Sequence, residues 1–213
     1  MKWFEIGTTS HLGYPQPEGS YAEFVYETNG YCKTCGMVGR QKAPFSFRSE
    51  PKSHRSHFIQ LNWVFDEIFI RPQVRTIFES ESISGITYGV ALHHKSNKAL
   101  IELEQLKIET VIGPGLLNDD LSIVTCKPDN EEPYLPSIRK NEPHCGRVKY
   151  HFPKEGLTMN RFSLEKAPDF VKTSEWFGSG GRAFKAILIS ERVAEIIKRH
   201  SLRGIYLNEV RLR

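Results

Sequence analysis

Two stretches of the chain, IFIRPQVRTIFESESISGI (residues 68–86) and ILISERVAEIIKRHSLRGI (residues 187–205), align on each other without a gap. Ile68, Ile70, Val74, Ile77, Ser82, Gly85 and Ile86 recur as Ile187, Ile189, Val193, Ile196, Ser201, Gly204 and Ile205, and most of the differences are solvent-type residues. The same local unit is therefore expected twice. Alternation of Ile68 with Ile70, and of Ile187 with Ile189, suits a short strand with one buried face. Pro72 fits a first helical turn and Ser190 an N-cap. After them Val74, Ile77 and Phe78, or Val193, Ile196 and Ile197, fall on one apolar stripe at helical spacing. Ile83 or Leu202 then tucks in, Gly85 or Gly204 turns the chain, and ITYGVAL or IYLNEVRL returns as a strand. Each unit reads strand, helix, strand.

The rest of the chain sets the frame around these units. With 213 residues and 39% hydrophobic content it can bury a substantial core. YAEFVYE and ALIELEQLKI alternate as strands, EGSY, VIGPGLLNDD and FGSGGR are turn-rich loops, and the proline-rich segment 127–143 is the best linker. The expected fold class is α+β, with mixed sheets, two duplicated strand-helix-strand units and a pair of zinc knuckles joining the halves. The lobes would run over residues 1–115 and 116–213, or merge into one compact domain. The start of the chain shows no signal peptide, and no run approaches about 18 apolar residues, so the chain is expected in the cytoplasm. A net charge of +4 permits a polyanionic partner without indicating one.

Four cysteines in such a compartment favour thiols or metal over disulfides. Cys32 and Cys35 are spaced to hold one side of a tetrahedral zinc, and Gly36 allows the positive φ that turns backbone amides toward the sulfurs. Each repeat follows such a turn: Cys35-Gly36-Met37-Val38 reads much like Cys145-Gly146-Arg147-Val148, with Glu142 where Cys32 would be. A metal set of Cys32, Cys35 and Cys145 is expected. The fourth ligand is left between Glu142 and His144, with Cys126 a third candidate and a metal-free knuckle the alternative.

Other motifs carry less chemistry. GSGGR (residues 178–182) lacks the lysine and following helix of a phosphate loop. His93, His94, His54 and His57 have no carboxylate at a motif spacing and read as loop histidines. No nucleophile or metalloprotease signature occurs. Trp3, Trp63 and Trp176 are expected in cores or an interface rather than stacking on bases.

The run NRFSLEKAPDF followed by ILISERVAEIIKRHSLRGIYLNEV, preceded by PHCGRVKYHFP and with Cys32-x-x-Cys35-Gly36 near the start, resembles the double-CXXCG motif immunity proteins. These accompany contact-delivered bacterial toxins of the swarming-inhibition type, and the likeness is clearest over residues 140–213. It implies a bacterial protein without catalysis of its own that binds and blocks one cognate toxin encoded nearby. By position Cys32, Cys35 and Cys145 match three of the family's paired cysteines, and Glu142 replaces the fourth. Zinc, if bound, would be structural. The acidic run 129–132 offers a local patch, but the basic net charge disfavours nucleic-acid mimicry. The alternative reading is a zinc-ribbon-like module that binds nucleic acid.

Overall fold

The computed structural model describes residues 2–51, 55–119, 121–127 and 143–213. The chain runs β1 (Trp3–Thr8), α1 (Tyr21–Val25), β2 (Ser46–Phe47), β3 (Phe58–Ile59), β4 (Ile68–Ile70), α2 (Pro72–Ser80), β5 (Thr87–His93) and β6 (Ala99–Lys107). It continues with β7 (Ile123–Thr125), β8 (Val148–Tyr150), β9 (Thr158–Met159), β10 (Phe170–Phe177), β11 (Phe184–Ser190), α3 (Glu191–Arg199), β12 (Ile205–Glu209) and β13 (Arg211–Leu212). The result is α+β, mostly sheet. One sheet has the order β12-β1-β11-β10-β8-β7, a second β2-β5-β6-β4-β3, and β13 pairs with β9.

Both repeated segments fold as strand, helix, strand, in β4-α2-β5 and β11-α3-β12. Each helix is nine residues long; Pro72 opens α2, and the Ser190 side chain accepts the Val193 amide at the start of α3. In each unit the two strands flank a third, antiparallel strand: β6 between β4 and β5, β1 between β11 and β12. The register also matches. Ile68 and Tyr88 both face Leu106, as Ile187 and Leu207 both face Ile6. The middle strand comes from after the unit in one case and from the chain's beginning in the other. A cut at 115/116 therefore leaves β1 on the far side from the sheet it completes.

The glycine turn of each unit meets the strand beside the other in a matching way. The Phe170 amide donates to the Ser84 carbonyl at 3.2 Å, and the Phe58 amide to the Arg203 carbonyl at 3.2 Å. Gly85 (φ +83) lies so close to the Phe170 carbonyl that a Cβ would sit 2.3 Å from it, and at Gly204 (φ +92) a Cβ would be 2.6 Å from the Phe58 carbonyl. Only glycine suits either place.

Between the units lies one core. Val74 and Phe78 of α2 and Val193, Ile196 and Ile197 of α3 pack with Ile68, Ile70, Ile187 and Ile189. The opposite faces are covered too. Phe69 joins a cluster under α1 with Ala22 and Val25, and Leu188 joins one with Leu157, Met159 and Val210. β4 and β11 are thus buried on both faces rather than the expected one, because each sheet is sandwiched between layers. A second correction concerns YAEFVYE, which alternates like a strand yet forms α1. Ala22, Val25 and Tyr26 are buried while Glu23 and Phe24 are exposed, which is the face of a single helical turn.

Asp169 ties the units together. Its carboxylate accepts the Ser84 amide at 3.0 Å, the Ser84 hydroxyl at 2.8 Å, the Ser190 hydroxyl at 2.7 Å and the Arg192 guanidinium at 3.1 Å. Burial alone would raise this carboxyl, but the Ser84 amide, the two hydroxyls and Arg192 outweigh it and hold it below its ordinary 3.8. A depressed folded pKa means stability that is present above about pH 4 and lost as the pH falls through the folded value. Asp169→Ala is expected to cost about 2 kcal/mol near pH 7 by urea unfolding and to flatten the stability profile on the acid side. An unchanged acid limb would show that the carboxylate does not fasten the two turns.

Candidate metal centre

The four cysteines, distant in sequence, meet at one point. The sulfurs of Cys32, Cys35, Cys126 and Cys145 all lie within 4.8 Å of one another. Cys32 Sγ is 3.8 Å from Cys126 Sγ, and Cys35 Sγ is 3.6 Å from Cys145 Sγ. A disulfide requires about 2.05 Å, so these are free thiols. A tetrahedral ion with metal–sulfur bonds of about 2.3 Å has sulfur–sulfur edges of about 3.8 Å. The donor set and its spacing fit a structural metal site. Cys32, Cys35 and Cys126 are buried with Met37, and Trp176 and Ala183 pack against them, while Cys145 faces solvent.

Local backbone chemistry explains the convergence. Cys32 and Gly36 close a tight turn, with the Cys32 amide bonded to the Met37 carbonyl and the Gly36 amide to the Cys32 carbonyl, both at 2.9 Å. Gly36 and Gly146 share positive φ, +80 and +70. In both turns the amide two residues on reaches the sulfur, Met37 to Cys35 and Arg147 to Cys145. Cys126 arrives differently. β7 pairs antiparallel with β8, and the ladder runs on past Thr125, so the Cys126 amide meets the Arg147 carbonyl at 2.9 Å and the Gly146 amide the Cys126 carbonyl at 3.1 Å.

The charge environment differs from one sulfur to the next. Lys149, fully buried, donates to the carbonyls of Cys35 (3.3 Å), Arg182 (3.2 Å) and Gly180. Arg147 Nε lies 3.4 Å from Cys145 Sγ. Arg147 is thus the cation that reaches a sulfur, while Lys149 fastens the backbone around the first knuckle to the glycine loop. Burial pushes the Cys145 thiol up, yet the Arg147 side chain and amide and the neighbouring thiols bring it down to about 6. The Cys35 thiol, by contrast, is raised, first by burial and then by the other sulfurs. A bound cation would reverse that.

The expected site residues fall out as follows. Cys32, Cys35 and Cys145 come together. The fourth place is filled by Cys126, whereas His144 is outside the clustered group and Glu142 lies outside the described residues. The signal for Cys126 was the cysteine count, since a fourth thiol in a chain without disulfides needs a use. GSGGR packs against the first knuckle: a Cβ on Gly36 would be 2.2 Å from the Gly181 carbonyl, and Lys149 binds this loop on its other contacts. His57 Nδ1 accepts the Arg203 amide at 2.8 Å, and His93 Nδ1 accepts the Ser96 amide at 3.2 Å, so both serve turns. His54 and the acidic run 129–132 lie outside the described residues, as does all but the two ends of the linker segment.

Beside the knuckle is a cavity of about 290 Å³ reaching from Gly36 and Gly181 to Trp63. Tyr14, Tyr21, Tyr26, Tyr31 and Trp63 line it together with Asp66. Trp3 is buried and Trp176 packs on the cysteines, while Trp63 is outside the core and stands half exposed at φ +67.

Comparison with family models and with curated proteins gives no match to this chain. Among the described residues no helix is long and apolar enough to cross a membrane.

Proposed function

We propose that the chain is an immunity protein that binds and neutralises a cognate bacterial toxin, braced by one structural Zn²⁺ on Cys32, Cys35, Cys126 and Cys145. The observation that carries the reading is the four-sulfur cluster in which two CG turns from distant parts of the chain, Cys35-Gly36 and Cys145-Gly146, meet, with Cys126 from the β7–β8 ladder taking the place that a second full CXXCG would have filled. That pairing is the feature by which the sequence resembles the double-CXXCG immunity proteins. A shell of four thiolates is closed, leaves no position for substrate and acts by fixing loops. Zinc fits better than a redox pair, since four soft ligands at tetrahedral spacing suit it. The protein would then offer a rigid surface without chemistry of its own, in the cytoplasm where the thiols stay reduced. Matching registers in β4-β6-β5 and β11-β1-β12 support descent of the two units from one duplicated ancestor.

The test is co-expression with the neighbouring reading frame. That product is expected to arrest growth by itself, to be harmless beside this chain, and to co-purify with it. Growth unaffected by the neighbour, or arrest that this chain does not relieve, would overturn the proposal. Nucleic-acid binding that weakens steeply with added salt would favour the zinc-ribbon reading instead.

A further inference from the structure

The aromatic cavity beside the knuckle has an uneven charge. Asp66, which lines it, is buried within the electrostatic reach of two further buried ionisable groups, Glu67 and Lys172. Lys172 pairs with Glu67 at 2.7 Å, and Glu67 also accepts from Gln105 at 2.8 Å. Asp66 accepts a long hydrogen bond from the Lys185 amide, 3.4 Å, and is left as the surplus carboxylate on the cavity wall. Glu18 lines the same space. Two cations also line it, one paired outside the aromatic wall and one resting on that wall. Lys33 pairs with Glu23 at 2.5 Å, and the Arg182 guanidinium lies over Trp63, 4.6 Å from the ring centroid.

The walls suit the same charge as the carboxylate asks for. Four tyrosines and a tryptophan present π faces or hydroxyl oxygens, both attractive to cations. Trp63, half exposed on the cavity lining, has a left-handed backbone, φ +67, which a bulky residue adopts only under strain. Tyr14 packs edge-on against it at 4.8 Å. Burial, then Asp66 and Tyr31, push the Tyr21 hydroxyl up to about 12. Burial, then Glu67 and Asp66, raise Tyr26, and burial raises Asp66 as well, a cost that a cation held beside its carboxylate would offset. The volume sits at the lower end of the roughly 300–1,000 Å³ of ligand sites, enough for one side chain or a small cation.

We propose that this cavity binds a guanidinium or alkylammonium group, with Asp66 as counter-ion and the aromatic rings as walls. Arg182 on Trp63 already shows a guanidinium using one of them. The cation could be a free small molecule or the arginine or lysine side chain of a partner protein; the proposal stands apart from the toxin-binding reading.

The test is an NMR titration of the zinc-replete protein, following the Trp63 indole. N-acetyl-arginine amide and agmatine are expected to bind saturably, while the neutral isostere N-acetyl-citrulline amide and acetate are not. Asp66→Asn should weaken binding about tenfold or more, a loss of roughly 1.4 kcal/mol. Arg182→Gln should leave it equal or tighter, since a competing cation is removed. Binding of agmatine alone would assign the site to a free cation, and binding of both to a partner's side chain. Absence of saturable binding, equal binding of the citrulline compound, or weakening by Arg182→Gln would overturn the proposal. The citrulline comparison uses unaltered protein and keeps the test decisive if a variant fails to fold.

Discussion

Purified protein is expected to carry about one zinc ion per chain, and Cys126→Ser to lose it while His144→Ala retains it. Structural zinc binds with apparent free energies of about 10–16 kcal/mol near pH 7. In a chain of this size each kcal/mol moves the unfolding midpoint by roughly 2–4 °C. Chelation or Cys126→Ser should therefore lower the midpoint by on the order of 10 °C or more, even if only part of that free energy reaches the fold. The effect should be large because the cluster joins the turn at residues 32–36 to the β7–β8 ladder, with Lys149 and the glycine loop fastened to the same point. Metal analysis beside thermal unfolding would decide it. Full zinc content in Cys126→Ser together with loss in His144→Ala would return the fourth place to the histidine.

Lys172→Met should be the most damaging single change away from the cysteines. It leaves Glu67 and Asp66 buried without their cation, and breaking a buried pair from one side costs about 3–5 kcal/mol. Burial lowers the Lys172 ammonium, but Glu67 and Asp66 outweigh it and raise it above its ordinary 10.5. Its stabilisation is thus complete below that value and lost as the pH rises through the folded one. Burial, offset by Lys172 and added to by Glu67, raises Asp66 above 3.8. Its contribution is present below 3.8 and lost as the pH climbs through the folded value, so Lys172→Met should unfold more readily at neutral than at mildly acidic pH. Adding Glu67→Gln should restore much of the loss. Urea unfolding at two pH values would test this, and a cost under about 1 kcal/mol without pH dependence would show that the pair is not a true buried ion pair.

Local pattern carried the units well and the assembly poorly. The helical stripe, the Ser190 cap and the positive-φ positions at Gly85 and Gly204 follow from short-range sterics, so they could be read from residues a few apart. Pairing of β1 between β11 and β12 depends on partners at opposite ends of the chain, and nothing local in WFEIGT announces them. The same holds for the centre. Cys32-x-x-Cys35 announces itself, whereas Cys126 enters through a ladder of long sequence separation. α1 misleads because one helical turn and a short alternating strand bury nearly the same residues.

The placement of β1 also orders events during synthesis. The first unit has its three strands within residues 68–107 and can close as soon as they emerge, but the other must hold its middle strand open until residues 184–209 arrive. Until then β1 stays without its two ladder partners. Closing so long a loop is the slow kind of step, so β1, though made before β11 and β12, takes its place only after them.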